Sequence, residues 1–505
     1  MTRSTGRAPV YGADGELGMT RPETAHRAVA AWSAGEVITS REVAEHYVGL
    51  VCFKIGPPRL VGVELEWLVH DALDPTVPVT AEQLAAALGE WGPRHLRPDH
   101  PDAAPHAPHS RSEHHSNAHQ SNAHQHSANQ HSAQPGSRPQ QSKLLPRGSA
   151  VTVEPGGQVE ISSRPAASLA ECLTDAALDS DTLRTALARA GLVVSGHGID
   201  PHRTPSRVLD LPRYAAMEAY FDRTGDAGRT MMCSTAAVQV SLDAGTESDT
   251  AADGLTARWQ ALHTLGPTLV AMFANSPVHA GAATGWRSTR QGAWAGIDAA
   301  RTAPPGNGGR AADPRLVYAR YALDAPVLCV RCEGHPWGVP EGVTFADWIG
   351  GALDTPPTFG DLDYHLSTLF PPVRAQGHLE VRYVDAQPGD GWVVPSAVIW
   401  ALSEDAPAMD AALAAAEPVA DAWLRAARSG LDDPELARAG RGVITAAIDG
   451  LDRAGVPADA AAAVTTFAER YTVRGRSPAH DWTDGLTEDS TDDSTDHCTD
   501  DEEDT

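Results

Sequence analysis

The feature that most constrains the fold is a short stretch, residues 60–68, in which acidic and apolar side chains alternate. Alternate residues of a strand point to the same face, so Glu64 and Glu66 share one face and the apolar residues around them share the other. The two carboxylates would lie roughly 6.6 Å apart and would repel each other unless they are solvated, paired or bridged by cations. The stretch therefore predicts a β-strand whose charged face is either exposed to solvent or part of a cation site.

A second acidic segment contains a turn. Residues 151–163 carry Glu154 before a Pro-Gly-Gly sequence and Glu160 after it, with apolar residues on either side of Glu160. Proline presets φ and glycine accepts positive φ, so this turn is expected to join two antiparallel strands. By itself the segment fits an ordinary hairpin with a polar side, but two acid-faced strands in one chain favour a shared site.

Two later segments add arginine and amide side chains to the pattern. In residues 378–385, Glu380 and Arg382 lie on one face of an otherwise apolar strand, where they would be costly if buried without partners. In residues 231–243, Gln239 lies on the polar face, which is either exposed or available to bind a substrate. Carboxylate oxygens from several strands are hard ligands, which suit Mg²⁺ or Mn²⁺ rather than a soft metal.

The remaining periodicity sets the fold class. Long segments rich in Ala, Leu and Arg predict helices, but helices and strands do not alternate regularly as in βαβ units. No Gly-x-Gly-x-x-Gly follows a strand, and neither of the two lysines, Lys54 and Lys143, lies in a Walker-type loop. We therefore predict an α+β fold, in which an antiparallel sheet carries chemistry on one face, helices cover the other, and the C-terminal part is helical.

Composition limits the partners. The 39 Lys and Arg residues against 66 Asp and Glu give a net charge of −27, which argues against binding to nucleic acid. No run approaches the roughly 18 uninterrupted apolar residues of a membrane span, and the N-terminus lacks the apolar core of a secretory signal. The six cysteines are scattered, and the Cys329-x-x-Cys332 pair has no second pair to complete a zinc site. We predict a cytoplasmic protein that has no membrane partner.

Two segments differ in composition from the rest. Residues 95–142 hold ten of the 22 histidines among Ser, Gln, Asn and Pro, and they have few apolar side chains to bury. This tract is interpreted as a disordered insertion, although so many imidazoles leave a metal-binding role open. The last residues, 476–505, are predicted to be a disordered acidic tail. The organisation predicted is thus one domain over residues 1–475, with the insertion inside it.

An arginine-containing segment, residues 285–302, has helical spacing. Arg290, Trp294, Asp298 and Arg301 recur at intervals of four, four and three, which would place them on one stripe of a helix. The stripe fits a surface ion pair, and it equally fits a half-buried wall whose arginines hold a carboxylate. Spacing alone leaves both interpretations open.

Taken together and in order, these segments resemble the glutamate–cysteine ligase family, in the branch shared by plant and actinobacterial enzymes. The resemblance rests on the following motifs: Gly62-Val-Glu64-Leu-Glu66, Glu154-Pro-Gly-Gly-Gln158-Val-Glu160-Ile-Ser162, Val238-Gln239-Val-Ser-Leu-Asp243, Phe273-Ala-Asn275-Ser276-Pro277, the Arg290/Trp294/Asp298/Arg301-Thr302 segment, Thr344-Phe-Ala-Asp347-Trp348, Leu369-Phe-Pro-Pro-Val-Arg374 and Leu379-Glu380-Val-Arg382. The chain departs from the family after Arg382, where Tyr383-Val384-Asp385 replaces the commoner Gly-Ala-Asp. The His-rich insertion is a second departure.

The resemblance implies a glutamine-synthetase-like catalytic fold with a curved antiparallel sheet. It also implies ATP, Mg²⁺ (Mn²⁺ is an alternative), L-glutamate and L-cysteine as cofactors and substrates. The implied reaction activates the γ-carboxylate of glutamate as a γ-glutamyl phosphate, which the cysteine amine then attacks. The product would be γ-glutamylcysteine, with ergothioneine biosynthesis as the expected pathway.

Site residues follow from the same resemblance. The metal ligands that it implies are Glu64, Glu66, Glu154, Glu160 and Glu380. Arg374 and Arg382 would contact the ATP phosphates or the acyl phosphate, as cofactor-binding and catalytic residues. The residues that would wall the amino-acid pocket are Arg290, Trp294, Arg301 and Gln239.

Two other functions remain open from sequence. A related carboxylate–amine ligase would join glutamate to a different amine, because amine choice depends on the shape of the pocket. A non-catalytic metal-binding protein would instead use the His-rich tract and the acidic tail. The acidic strands favour the ligase over this second alternative.

Overall fold

The computed structural model describes residues 32–55, 59–96, 142–248, 253–308, 313–332 and 336–484. Nearly all of the His-rich tract and the acidic tail beyond Asp484 lie outside these ranges. The flanks of the tract are nevertheless described. Lys143 N donates to the carbonyl of Glu90, and its ammonium pairs with the Glu90 carboxylate at 2.7 Å. The chain on the two sides of the tract is therefore held together.

An antiparallel sheet forms the centre of the described chain. Its strands are β1 (Val61–Asp71), β2 (Ala150–Val153), β3 (Val159–Ser162), β4 (Leu192–Ser195), β5 (Ala237–Leu242), β8 (Val373–Ala375) and β9 (Leu379–Asp385). They are arranged in the order β2-β3-β1-β5-β9-β8, and β4 pairs with the far end of β1. A separate two-stranded hairpin joins β6 (Val278–His279) to β7 (Ala282–Ala283).

The register of the strands brings the polar residues onto one face. Glu66 lies opposite Glu160 of β3, and Glu64 lies opposite Gln239 of β5. Further along the sheet, Glu380 of β9 lies opposite Arg374 of β8. The alternating residues of β1 on the other face are buried and belong to the main hydrophobic core, as the two-residue period requires.

Helices pack on the apolar face and build the C-terminal part. Those described, in chain order, are α1 (Arg41–Cys52), α2 (Ala81–Leu88), α3 (Leu169–Arg189), α4 (Pro212–Phe221), α5 (Ala227–Ser234), α6 (Leu255–Met272), α7 (Thr289–Ala295), α8 (Ala299–Thr302), α9 (Pro305–Gly308), α10 (Pro314–Asp324), α11 (Phe345–Ile349), α12 (Phe359–Leu366), α13 (Val393–Glu404), α14 (Ala406–Ala416), α15 (Trp423–Ser429), α16 (Pro434–Gly450) and α17 (Ala458–Arg470). Short 3₁₀ helices span Gly89–Trp91, Arg94–Leu96, Glu417–Val419, Gly430–Asp432 and Thr472–Arg474. None of the helices in the described ranges is long and apolar enough to cross a membrane.

Helix α6 shows how the covered face is built. Most of its residues are buried, including Trp259 and Leu262. The Tyr383 hydroxyl of β9 donates to the Leu262 carbonyl at 3.0 Å, which fixes the strand against the helix. The predicted α+β class, with an antiparallel sheet covered by helices and a helical C-terminal part, is confirmed.

Local predictions were less accurate at element boundaries. The strand predicted over 231–243 begins only at Ala237, because residues 227–234 form α5 instead. The stripe predicted over 285–302 is not one helix. Helix α7 ends at its C-cap Gly296. Asp298 then caps the separate helix α8 by accepting a hydrogen bond from Ala300 N. Local polar capping thus breaks a pattern whose spacing is helical.

The predicted start of the acidic tail at residue 476 is too early. Ser477, Ala479 and His480 are buried against the body. His480 Nε2 contacts Asp432 at 3.0 Å, and Arg476 pairs with Asp484. These contacts tie residues 476–484 to the helical C-terminal part, so a tail can begin only beyond them.

Candidate active site

The glutamates predicted as metal ligands converge on one face of the sheet, which we call the carboxylate face. It is formed by Glu64, Glu66, Glu154, Glu160 and Glu380. Two come from β1, and one each comes from β3, β9 and the turn after β2. Each influences the pKa of at least one other member or shares an arginine with it. The structure therefore brings together residues that are up to 316 positions apart in sequence, between Glu64 and Glu380.

Part of the carboxylate face is held by neutral hydrogen-bond donors. Glu66 accepts from Gln239 Nε2 at 2.6 Å. Glu160 accepts from the Thr152 hydroxyl at 2.7 Å and from Ser162 Oγ at 3.3 Å. These bonds orient the carboxylates but bring no positive charge to the face.

Crowded negative charge shifts the titration of these groups. Burial, and then the Glu380 carboxylate, raise the pKa of Glu64 to about 8. Burial raises the pKa of Glu66 to about 7 although Arg290 opposes the shift. Burial followed by repulsion from Glu64 raises the pKa of Glu160 well above its usual range, and burial raises that of Glu154. The face stores repulsion that a cation would relieve.

Glu380 is in a different electrostatic state. Burial alone would raise its pKa, but Arg374 and Arg382 outweigh burial and lower the pKa below its usual range. Arg374 donates through Nε at 2.7 Å and Nη2 at 3.2 Å, and Arg382 donates through Nη1 at 2.7 Å. The two predicted phosphate-binding arginines thus lie beside the acidic cluster.

One hydrogen-bonded chain crosses four neighbouring strands. Arg382 Nη1 also donates to Gln239 Oε1 at 2.5 Å, and Gln239 in turn donates to Glu66. With the pairs from Glu380 to Arg382 and Arg374, this chain links β1, β5, β9 and β8. Gln239, predicted to lie near the amino-acid pocket, is therefore the bridge between acidic and basic halves of the site.

The chemistry of the donor set suits a divalent cation, because carboxylate oxygens are hard ligands of the kind that Mg²⁺ and Mn²⁺ prefer. Within the described residues, however, no three His, Cys, Asp or Glu side chains are placed so that they could hold a metal ion. Glu380 is the weakest candidate, since both of its oxygens accept from arginines. The metal roles of the five glutamates stay a prediction.

Beside the arginines lies a small cavity of about 30 Å³. Its walls include Arg290, Trp294, Thr302, Phe370 and Arg382. The guanidinium carbons of Arg290 and Arg382 lie 5.8 and 6.0 Å from the centre of the Trp294 ring. This places two of the predicted pocket residues, and one predicted phosphate-binding residue, around one space.

Arg290 is a buried arginine whose donors are only partly used. It is 2% exposed, and Nη2 donates to the Arg382 carbonyl at 2.8 Å. Its Nε and Nη1 atoms have no hydrogen-bond partner in the described residues. Unsatisfied buried donors are costly, so a ligand carboxylate is the simplest group to satisfy them.

Arg301 lies behind the cavity wall. It is fully buried, and its guanidinium donates to the Thr368 carbonyl at 2.9 Å and to the Pro326 carbonyl. It also lies 4.7 Å from the Tyr220 ring centre. These contacts fit a supporting role better than direct substrate contact, and the predicted pocket role of Arg301 remains a prediction.

Two features of the site were not found from sequence. Arg213, on α4, opposes the raised pKa of Glu154, but its helix carries no signal that points to the site. Asp385, at the end of β9, accepts hydrogen bonds from the segment that leads into α7. Asp385 lies in the Tyr383-Val384-Asp385 segment, where the chain departs from the family. Its partners Asn275 and Ser276 belong to the Phe273–Pro277 motif, and neither segment by itself predicts that the two meet.

The fold and this site agree with the class indicated by the motifs, a ligase. The sequence profile of glutamate–cysteine ligase family 2 matches residues 60–500, and the chain belongs to this family. Relatives include the glutamate–cysteine ligase EgtA of Mycobacterium tuberculosis H37Rv, 41% identical over 88% of this chain and 90% of the relative. EgtA of Mycolicibacterium smegmatis is 36% identical over 88% and 92%. The predicted family is confirmed.

More distant proteins are also similar. The chloroplastic glutamate–cysteine ligase of Arabidopsis thaliana is 30% identical over 47% of this chain and 46% of the plant protein. The glutamate–cysteine ligase of Francisella tularensis, solved in complex with AMP, has 11% identity and a TM-score of 0.45, over 85% of this chain and 84% of that one.

Proposed function

We propose that the protein is an ATP-dependent ligase that joins the γ-carboxylate of L-glutamate to the amine of L-cysteine, for ergothioneine biosynthesis in the cytoplasm. The observation that carries the proposal is the carboxylate face beside Arg374 and Arg382, assembled from strands far apart in sequence. The similarity over nearly the full length to relatives named as this enzyme supports the choice of substrates.

The reaction explains why such a site is needed. A carboxylate oxygen of glutamate attacks the γ-phosphorus of ATP, and ADP leaves with the electrons of the broken P–O bond. The cysteine amine then attacks the acyl carbon, loses a proton and expels inorganic phosphate, leaving the amide bond. Both steps concentrate negative charge, so fixed positive charge accelerates them more than any protein nucleophile would.

The glutamates are assigned to a cation, and the arginines are assigned to phosphate oxygens. We assign Mg²⁺, or Mn²⁺, to Glu64, Glu66, Glu154 and Glu160, with Glu380 as a further ligand. A bound cation would neutralise phosphate oxygens and polarise the phosphorus. Arg374 and Arg382 would hold phosphate oxygens, and Glu380, which accepts hydrogen bonds from both, would fix their direction.

The cavity at Arg290, with a volume of about 30 Å³, is assigned to the carboxylate group of an amino-acid substrate. The Nε and Nη1 atoms, which have no hydrogen-bond partner in the described residues, would hold a carboxylate of an amino acid, and the Trp294 ring would cover its apolar part. Gln239, which links Glu66 to Arg382, would fix the position of this subsite relative to the reacting carboxylate. Arg301 would support the wall from behind.

The test is ADP release from the full chain with ATP, Mg²⁺ and glutamate, with and without cysteine, combined with mass detection of the dipeptide. Cysteine-dependent ADP release with formation of γ-glutamylcysteine is expected. Parallel reactions replace cysteine with other amines. Preference for another amine would identify a related ligase instead, and no ADP release with any amine would refute a ligase function.

A further inference from the structure

Asp385 lies outside the carboxylate face yet has a dense set of partners. It is 2% exposed. One carboxylate oxygen accepts from Asn275 N at 2.9 Å and from Ser276 Oγ at 2.7 Å, and the other accepts from Ser288 Oγ at 2.9 Å. We call these four residues the Asp385 network. None of its hydrogen bonds is to a group of the carboxylate face.

The network controls the start of helix α7. Ser288 is the N-cap, and its hydroxyl accepts from Gln291 N at 3.2 Å. The Ser276 hydroxyl accepts from Arg290 N at 3.2 Å. Each hydroxyl has one proton, and both protons are donated to Asp385, so the lone pairs must face the helix amides. The carboxylate thereby orients both caps at once.

Arg290 sits directly on this support. Its Nη1 atom lies 3.8 Å from an Asp385 oxygen, too long for a hydrogen bond but close enough for strong attraction between buried charges. Nη1 and the neighbouring Nε are buried and have no hydrogen-bond partner in the described residues, and the Arg290 side chain lines the cavity together with Trp294. The carboxylate therefore attracts the guanidinium without accepting a hydrogen bond from either of these two donors.

The backbone also makes room for this arrangement. A Cβ at Gly198 would come within 2.6 Å of the Asp385 Cγ, so only glycine allows the carboxylate to lie where it does. Gly198 N also donates to the Asn275 carbonyl at 3.0 Å, so Gly198 holds a second member of the Asp385 network in place.

We propose that Asp385 is a positioning residue that aims Arg290 at the carboxylate of an amino-acid substrate, through the hydroxyls of Ser276 and Ser288. This inference rests on the proposed function and assigns Asp385 a role in amino-acid affinity rather than in phosphoryl transfer. An asparagine there would offer one acceptor and two donors, so it would compete with the serine protons and turn at least one hydroxyl away from the helix.

The first test is Asp385→Asn in the full chain, with KM measured for each substrate. The KM of one amino acid should rise about tenfold or more, while the KM of ATP stays within about twofold. The matched control is Asp179→Asn. Asp179 is equally buried and accepts from the amides of Arg147 and Ser149, away from the site. Equal effects of the two changes on all KM values would overturn the proposal.

A double-mutant cycle separates positioning from general damage. Arg290→Lys alone should raise the same KM, and adding Asp385→Asn to it should cost much less than Asp385→Asn costs alone. Fully additive effects would contradict action through Arg290. If Asp385→Asn does not fold by circular dichroism, Ser288→Ala, which removes one bond of the network, replaces it in the cycle.

Direct binding distinguishes failure of this inference from failure of the proposed function. Calorimetric titration with L-glutamate and L-cysteine measures affinity without turnover. Asp385-dependent binding in a chain that forms no dipeptide would refute the ligase and support the positioning role. Dipeptide formation with Asp385-independent KM values would do the reverse.

Discussion

The carboxylate face and the Asp385 network both bury acidic groups, but they balance charge in opposite ways. On the face, burial and then repulsion from Glu380 raise the pKa of Glu64 to about 8. In the network, one carboxylate meets three hydrogen-bond donors and a nearby arginine. Burial raises the pKa of Asp385 as well, but its three hydrogen-bond donors and Arg290 oppose that shift. Repulsion on the carboxylate face would instead be relieved by protonation or by a bound cation.

The largest effect on activity is expected on the carboxylate face. Glu66→Gln should lower kcat/KM by on the order of 10²–10³-fold, because it removes a proposed ligand of the cation that would stabilise negative charge in the transition state. Thermal stability should be unchanged or higher, since repulsion within the face is relieved. ADP release and thermal melting measure the two effects. Wild-type turnover in Glu66→Gln, or a loss equal to that of the exposed Glu435→Gln, would remove Glu66 from the site.

Removing an arginine that pairs with Glu380 should lower the stability of the protein. Arg382→Ala leaves Glu380, which is 1% exposed, with one arginine fewer, so we expect a loss of about 3 kcal/mol in the free energy of unfolding. Urea unfolding measures it. Arg425→Ala breaks exposed pairs with Asp433 and Glu435 and should cost less than about 1 kcal/mol. Equal losses would show that Glu380 does not depend on Arg382.

The pH dependence of stability sharpens the comparison further. The pKa of Glu64 is about 8 in the fold against an ordinary value of 4.5, so the folded protein binds more protons between these values. Without divalent cations, its contribution should therefore fall as pH rises from about 4.5 through about 8. Glu64→Gln should flatten the slope of unfolding free energy against pH, and Mg²⁺ should restore stability at pH 8. An identical slope in both proteins would contradict the raised pKa.

The smallest effect is expected at the His-rich tract. Replacing residues 97–141 with a short Gly/Ser linker should change kcat/KM by less than about threefold, because Lys143 and Glu90 already hold its flanks together. A scrambled tract of the same composition is the control. A large loss of activity with the linker but not with the scrambled tract would assign a role to its composition.

Sequence reasoning located the carboxylate face but not its internal pairing. The two-residue period of a strand predicted that Glu64 and Glu66 share a face, and this is confirmed by the register with Gln239 and Glu160. The two-residue period did not predict that both oxygens of Glu380 accept hydrogen bonds from arginines. A period describes one strand, whereas pairing depends on strands that meet only after folding.

The arginine segment shows the opposite outcome. Its spacing predicted one helical stripe, but the chain leaves the helix at Gly296 and restarts at the Asp298 cap. Arg290 and Trp294 line the cavity, while Arg301 turns into the core. Capping bonds and burial, neither visible in the spacing, decided which residues face the cavity.

By itself, the sequence determined the family, the α+β class and the set of acidic residues on one sheet face, because these depend on local periodicity and on ordered motifs. Only the tertiary structure decided which charges are compensated and how Asp385 supports Arg290. Those properties arise from distances between segments remote in the chain, such as Ser276, Ser288 and Asp385, which no local pattern records.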